Sequence, residues 1–169
     1  MTAAGPGAPL PGAGLARRLA SLVYEALVVA AIVLVAGFAL TPLMSPLASP
    51  GQAPVVPGTA GRVAGFAGLV AALGAYFVWC WTSGRRTLPM KTWRLAIVDA
   101  AGAPLRGGRA WARYAAAWIG PAIAVAAYAW THSPVAWLAI AIGYAWAFVD
   151  PDRAFLHDRL AGTRLVRSA

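Results

Sequence analysis

The sequence predicts an all-α integral membrane protein: four transmembrane helices, with a short cytoplasmic connector of interfacial and β-like character between the second and third. Three observations carry this. Of 169 residues, 60% are hydrophobic and 11% charged, about half the charge fraction of a soluble domain. Four apolar runs alternate with polar or Pro/Gly-rich stretches. The fourteen Lys and Arg are distributed one-sidedly: two precede the first run, seven lie from Arg85 to Arg113, four follow the last run, and only Arg62 falls elsewhere. Basic residues are retained on the cytoplasmic side of inserted helices, so both termini are expected there. The net charge of +9 then reads as orientation. A nucleic-acid surface is disfavoured, because the basic residues lie between apolar spans and form no groove-sized stripe.

Residues 1–16 are rich in Ala, Gly and Pro and carry no charge; they cannot bury a core and are expected to be a disordered cytoplasmic tail. The first span is expected over about 19–40, closed by Thr41-Pro42, since the residue before a proline disfavours helix. Arg17 and Arg18 before an apolar run would also open a signal peptide. The run is long for a signal core and contains Glu25, so it reads as an uncleaved helix. Residues 42–61 hold five prolines and no Lys or Arg, which makes them a non-cytoplasmic loop. The second span covers about 63–81. Its glycines Gly61, Gly65, Gly68 and Gly74 serve close helix packing, and Trp79 and Trp81 are expected at the interface.

The connector follows. Thr87 to Trp93 suggests a short interfacial helix broken at Pro89. Leu95 to Val98 has strand composition, and Asp99 to Pro104 reads as a turn. The third span, about 110–130, should kink at Gly120-Pro121. The fourth, 134–149, is short and must sit upright, thin the bilayer or borrow its flanks. In the arginine-rich tail, Thr163 to Val166 is again strand-like and could pair with Leu95 to Val98.

A polar constellation marks the first span. Arg18, Ser21 and Glu25 share one helical face, with Arg18 and Glu25 about 10 Å apart along the axis. A carboxylate at that depth must face protein, water or a counter-charge. Around these residues the chain resembles the RDD family of membrane proteins. Three stretches carry the resemblance: Arg17-Arg18-Leu-Ala-Ser-Leu-Val-Tyr-Glu25; Thr87 to Asp99 followed by Gly102 and Pro104; and Phe155-Leu-His-Asp158-Arg-Leu-Ala-Gly-Thr163-Arg-Leu-Val166. Arg18 takes the place of the family arginine and Asp158 that of its second aspartate. Glu25 stands where the family has aspartate, so the carboxylate is kept and displaced by one methylene.

The resemblance implies a transmembrane domain over residues 17–167, in a bacterial inner (plasma) membrane, with Arg18, Glu25 and Asp158 as its polar set. Ser21, His157 and Asp99 are secondary candidates. The family's molecular role is mostly unassigned, and cation or proton exchange has been suggested for some relatives. The alternative is a structural or accessory subunit in which Arg18 pairs with Asp158 or Glu25 and pins the tail to the first helix. With one membrane carboxylate in four short helices, transport would need two or more copies or a membrane partner. No enzyme activity, cofactor or metal is expected: Cys80 and two histidines offer no zinc set, and no nucleophile is positioned beside His157. The bilayer is the expected partner.

Overall fold

A computed structural model describes residues 12–44 and 56–168. Helix α1 (Leu15–Met44) and helix α2 (Thr59–Trp81) are long and apolar enough to cross a bilayer, with mean hydropathy 2.5 and 1.9 over their best windows. Their apolar side chains point outwards: only 6% of the α1 window is buried, and Val35 and Phe38 are among its exposed residues. A soluble helix buries its apolar stripe; this one leaves it for lipid.

Both ends of α1 differ from expectation. Residues 12–16 are not a free tail: Gly12 bridges Val166, the Ala13 amide donates to Leu165 O at 3.1 Å, and the helix opens at Leu15. Residues 1–11 lie outside the described part. At the other end the helix runs through Pro42 to Met44. Pro42 lacks the amide that would bond the Phe38 carbonyl, so one bond is lost, and only two helical residues follow it. The loop expected over 42–61 therefore gives up its first and last residues to helices; 45–55 lie outside the described residues.

After α2 comes the five-residue helix α3 (Leu88–Thr92). Pro89 does not break it, because it sits in the first turn, where an amide would be unbonded anyway. Strand β1 (Leu95–Asp99) follows, then the turn through Gly102, whose φ of +82° suits glycine. The third apolar run is two helices, α4 (Gly107–Ala117) and α5 (Ile119–Thr131), separated at Trp118. Pro121 has no amide for the Ala117 carbonyl and its ring crowds that group, so the break falls one turn before the proline.

The fourth run is mostly a 3-10 helix, Pro134–Ala141. A single turn α6 (Ile142–Ala145) and a further 3-10 turn, Trp146–Phe148, complete it. It lies on α5 at very short range: a Cβ on Gly120 would stand 2.9 Å from Ile140 O and 3.2 Å from Ala139 O. The chain ends in the short helix α7 (Leu156–Leu160) and strand β2 (Thr163–Arg167). The strands pair antiparallel, Leu95 opposite Arg167 and Asp99 opposite Thr163. The core lies where this ribbon meets α2 and α4: Leu73, Trp81, Met90, Leu95, Tyr114 and Leu165 are buried. Trp81 is therefore no interface anchor; Trp79, 63% exposed, is free to be one.

Gly120→Ala is expected to destabilise the protein by about 1–3 kcal/mol through overpacking against backbone. Gly143→Ala, where a Cβ meets nothing within 4 Å, should be nearly neutral. Thermal unfolding of the two variants in detergent checks this.

Candidate functional site

The polar face of α1 lines a cavity of about 350 Å³. Arg18, Ser21 and Glu25 enter it from one side, and Arg113, Tyr144 and His157 from the others. Its walls are apolar, among them Val29, Leu73, Phe77 and Trp118. The size and the mostly apolar lining with a few polar groups are those of a ligand site.

Arg18 is buried and spends its guanidinium on backbone. Its Nε donates to Ala13 O at 2.7 Å, one Nη to Arg153 O at 2.6 Å and the other to Leu165 O at 3.4 Å. It forms no ion pair with Asp158 or Glu25, which corrects the expected pairing. Arg18 lies in the first turn of α1, beside the edge of β2 and the Arg153 turn. Its three acceptor carbonyls meet there, Leu165 O shared with the Ala13 amide, and Arg153 sits at φ +51°. One side chain thus ties the start of α1 to two points of the tail.

The partner of Asp158 is Arg113. Arg113 Nε donates to Asp158 Oδ1 at 2.7 Å, and the Thr163 hydroxyl lies 3.1 Å from the same oxygen. Asp158 is fully buried. Burial by itself pushes its carboxyl up; the Arg113 charge, helped by His157 and by the Arg113 and Thr163 hydrogen bonds, holds it below the usual carboxylate range. The Arg113 guanidinium also lies over the Trp81 ring, 4.2 Å from its centroid, a cation–π contact in a desolvated place. Arg113, Thr163 and Thr87 were not among the sequence candidates. Arg113 did carry a signal: it is the single charged residue within Ala110 to Trp130, yet it also fits the run of topogenic arginines before it.

Glu25 accepts from the Thr87 hydroxyl at 2.8 Å through Oε2, while Oε1 is buried without a partner among the described residues. Thr87 is fully buried, and its oxygen also accepts from the Met90 amide at 3.4 Å as the N-cap of α3. The cap that starts α3 therefore also fixes the Glu25 carboxylate. Ser21 sits between Arg18 and Glu25 on the cavity wall, and no hydrogen bond joins it to either among the described residues.

Asp99 lies elsewhere. It holds the turn after β1 by accepting from the Ala101 and Ala103 amides, both at 2.9 Å, and pairs with Arg109 at 2.9 Å. The Ala103 amide, with Ala101 and Arg109, keeps its carboxyl low. Asp150 does the same for the turn before α7 through the Asp152 and Ala154 amides, and Arg159 spans Asp150 and Asp152. His157 Nε2 stands 3.9 Å from Asp158 Oδ1, too far for a hydrogen bond. Its burial pushes the imidazole down to about 4, so it is neutral near pH 7. Among the described residues no three His, Cys, Asp or Glu side chains gather as metal ligands would.

A model of the RDD family matches residues 12–162. No curated protein and no solved structure matches the chain.

Two outcomes follow from this geometry. Arg113→Ala and Asp158→Ala should each cost about 3–5 kcal/mol, because each strands a buried charge, and the double variant should cost clearly less than their sum; thermal melts of the three variants measure it. His157 is depressed to about 4 from 6.5. Between these values the unfolded chain binds a proton that the folded chain refuses, so stability falls as pH drops from 6.5 to 4, by up to roughly 3 kcal/mol. Melts across that window should show the slope, and His157→Phe should flatten it.

Proposed function

The chain belongs to the RDD family, and on that premise we propose a multi-pass protein of the bacterial inner membrane whose polar set is a structural lock. It is not an enzyme in this reading. It crosses the bilayer four times with both termini in the cytoplasm, and its role is that of a scaffold or accessory subunit. The observation that carries the lock is how its cations are engaged, although Asp158 Oδ2, like Glu25 Oε1, is buried without a partner among the described residues. Arg18 has all three of its donor nitrogens on backbone carbonyls, and Asp158 is engaged by Arg113 and Thr163. Groups so engaged are poorly placed to release a cargo.

The four-span reading gains support from the 3-10 helix. At 2.0 Å per residue, residues 134–148 extend about 28 Å, against about 22 Å for an α-helix of the same length. That is close to a hydrocarbon core of about 30 Å. The short fourth run needs little thinning of the bilayer.

A second reading, transport of a cation or proton, rests on Glu25. Its Oε1 has no partner among the described residues, and the side chain lines the cavity. This path would need a second copy or a membrane partner to be complete.

Flux measurements in reconstituted vesicles separate the two. The lock predicts no cation or proton flux in wild type or in Glu25→Gln, together with a large loss of thermal stability in Arg18→Ala. A wild-type flux abolished by Glu25→Gln, in protein that stays folded, would overturn it in favour of transport.

A further inference from the structure

Arg17, Arg94 and Arg167 converge, with Thr92 and Trp93, on a second concavity of about 260 Å³. They come from three elements: the first turn of α1, the residue between α3 and β1, and the last residue of β2. The two strand-end arginines are brought together by the register that sets Leu95 opposite Arg167, and by the Ser168 amide donating to Arg94 O at 2.9 Å. Among the described residues no side-chain carboxylate answers them. The chain has five acidic residues, and each is engaged elsewhere: Glu25 by Thr87, Asp99 by Arg109, Asp150 and Asp152 by Arg159, Asp158 by Arg113.

From this we infer that the Arg17–Arg94–Arg167 concavity is a binding site for the phosphate of an anionic membrane lipid. The inference rests on the membrane reading of α1 given above. Guanidinium forks match phosphate oxygens in pairs, and among the described residues no carboxylate lines the concavity to match the ammonium of a zwitterionic headgroup. The position selects lipid over a free anion. Arg17 lies in the first turn of a bilayer-crossing helix, so the concavity stands at headgroup depth. Tyr24, Val28, Ala31 and Val35 follow Arg17 on the same face at helical spacing, and Val35 is exposed, giving an acyl chain a track to lie along. Trp93, 37% exposed, is placed as an interfacial ring beside the headgroup. A basic concavity between elements at a membrane surface is a known form of headgroup recognition.

The test uses the full chain in nanodiscs of phosphatidylcholine containing a small, varied share of phosphatidylglycerol, with retained lipid counted after extraction into detergent. Wild type should retain phosphatidylglycerol over phosphatidylcholine by about tenfold or more, given the pull of each arginine on anionic lipid. The Arg17→Gln, Arg94→Gln, Arg167→Gln triple variant should lose that preference. A control triple, Arg106→Gln, Arg153→Gln, Arg164→Gln, removes equal charge and should keep it. Lysine at the three site positions keeps the charge without the fork and should keep part of the preference, which guards against a folding defect in the glutamine variant. No preference in wild type, or equal loss in both glutamine triples, overturns the site. Displacement of the lipid by millimolar inorganic phosphate overturns the lipid as its occupant. A chain that fails to enter the discs counts against the membrane reading instead, so the two failures are distinguishable.

Discussion

The buried ion pair of Arg113 and Asp158 is the constraint on which the rest of the arrangement depends. Taking two charges out of water costs several kcal/mol per ion, and their attraction repays it only when the geometry is good and the remaining polar atoms are satisfied. Here the short Nε–Oδ1 contact is backed by the Thr163 hydroxyl on the same oxygen and by the Trp81 ring over the guanidinium, while Asp158 Oδ2 stays buried without a partner among the described residues. The pair joins α4 to α7. Since α7 leads directly into β2, and β2 holds β1, fixing Asp158 also fixes the ribbon against the helices.

Arg18 completes the same closure from the opposite side. It needs no carboxylate, because its targets are carbonyls that meet where α1, the Arg153 turn and β2 come together, Leu165 O being shared with the Ala13 amide. Buried carbonyls without partners are costly, and a planar cation with donors in a fixed fork can satisfy several at once. Of the polar set, Arg18 and Glu25 line one cavity and Asp158 stands behind it, bonded to the Arg113 that also lines it; none of the three pairs with another. Arg18 engages backbone, Asp158 engages Arg113, and Glu25 engages the cap of α3.

Much of this was legible in the residues. The helical face Arg18–Ser21–Glu25 followed from spacing, and the 95–98 and 163–166 strand pairing from β-branched composition flanked by turn residues. What could not be read was which charge meets which. Arg113 is one of seven basic residues between Arg85 and Arg113, and a positive-inside count gives all of them the same explanation. Only the fold separates the one that turns inward onto Trp81. Thr87 was equally hidden, since a threonine before a short helix reads as a cap and nothing more. The break at Trp118 was displaced from the expected Gly120-Pro121 because a proline acts on the carbonyl four residues back, not on its own position.

The 3-10 helix over 134–141 has a mechanical consequence. Rewinding those eight residues into an α-helix would shorten them by about 4 Å and turn everything downstream by roughly 160°. Asp150, α7 and the Asp158 carboxylate all lie downstream. The Arg113 pair and the seat of Ile140 against Gly120 therefore act as two clamps that hold a wound segment at its extended length.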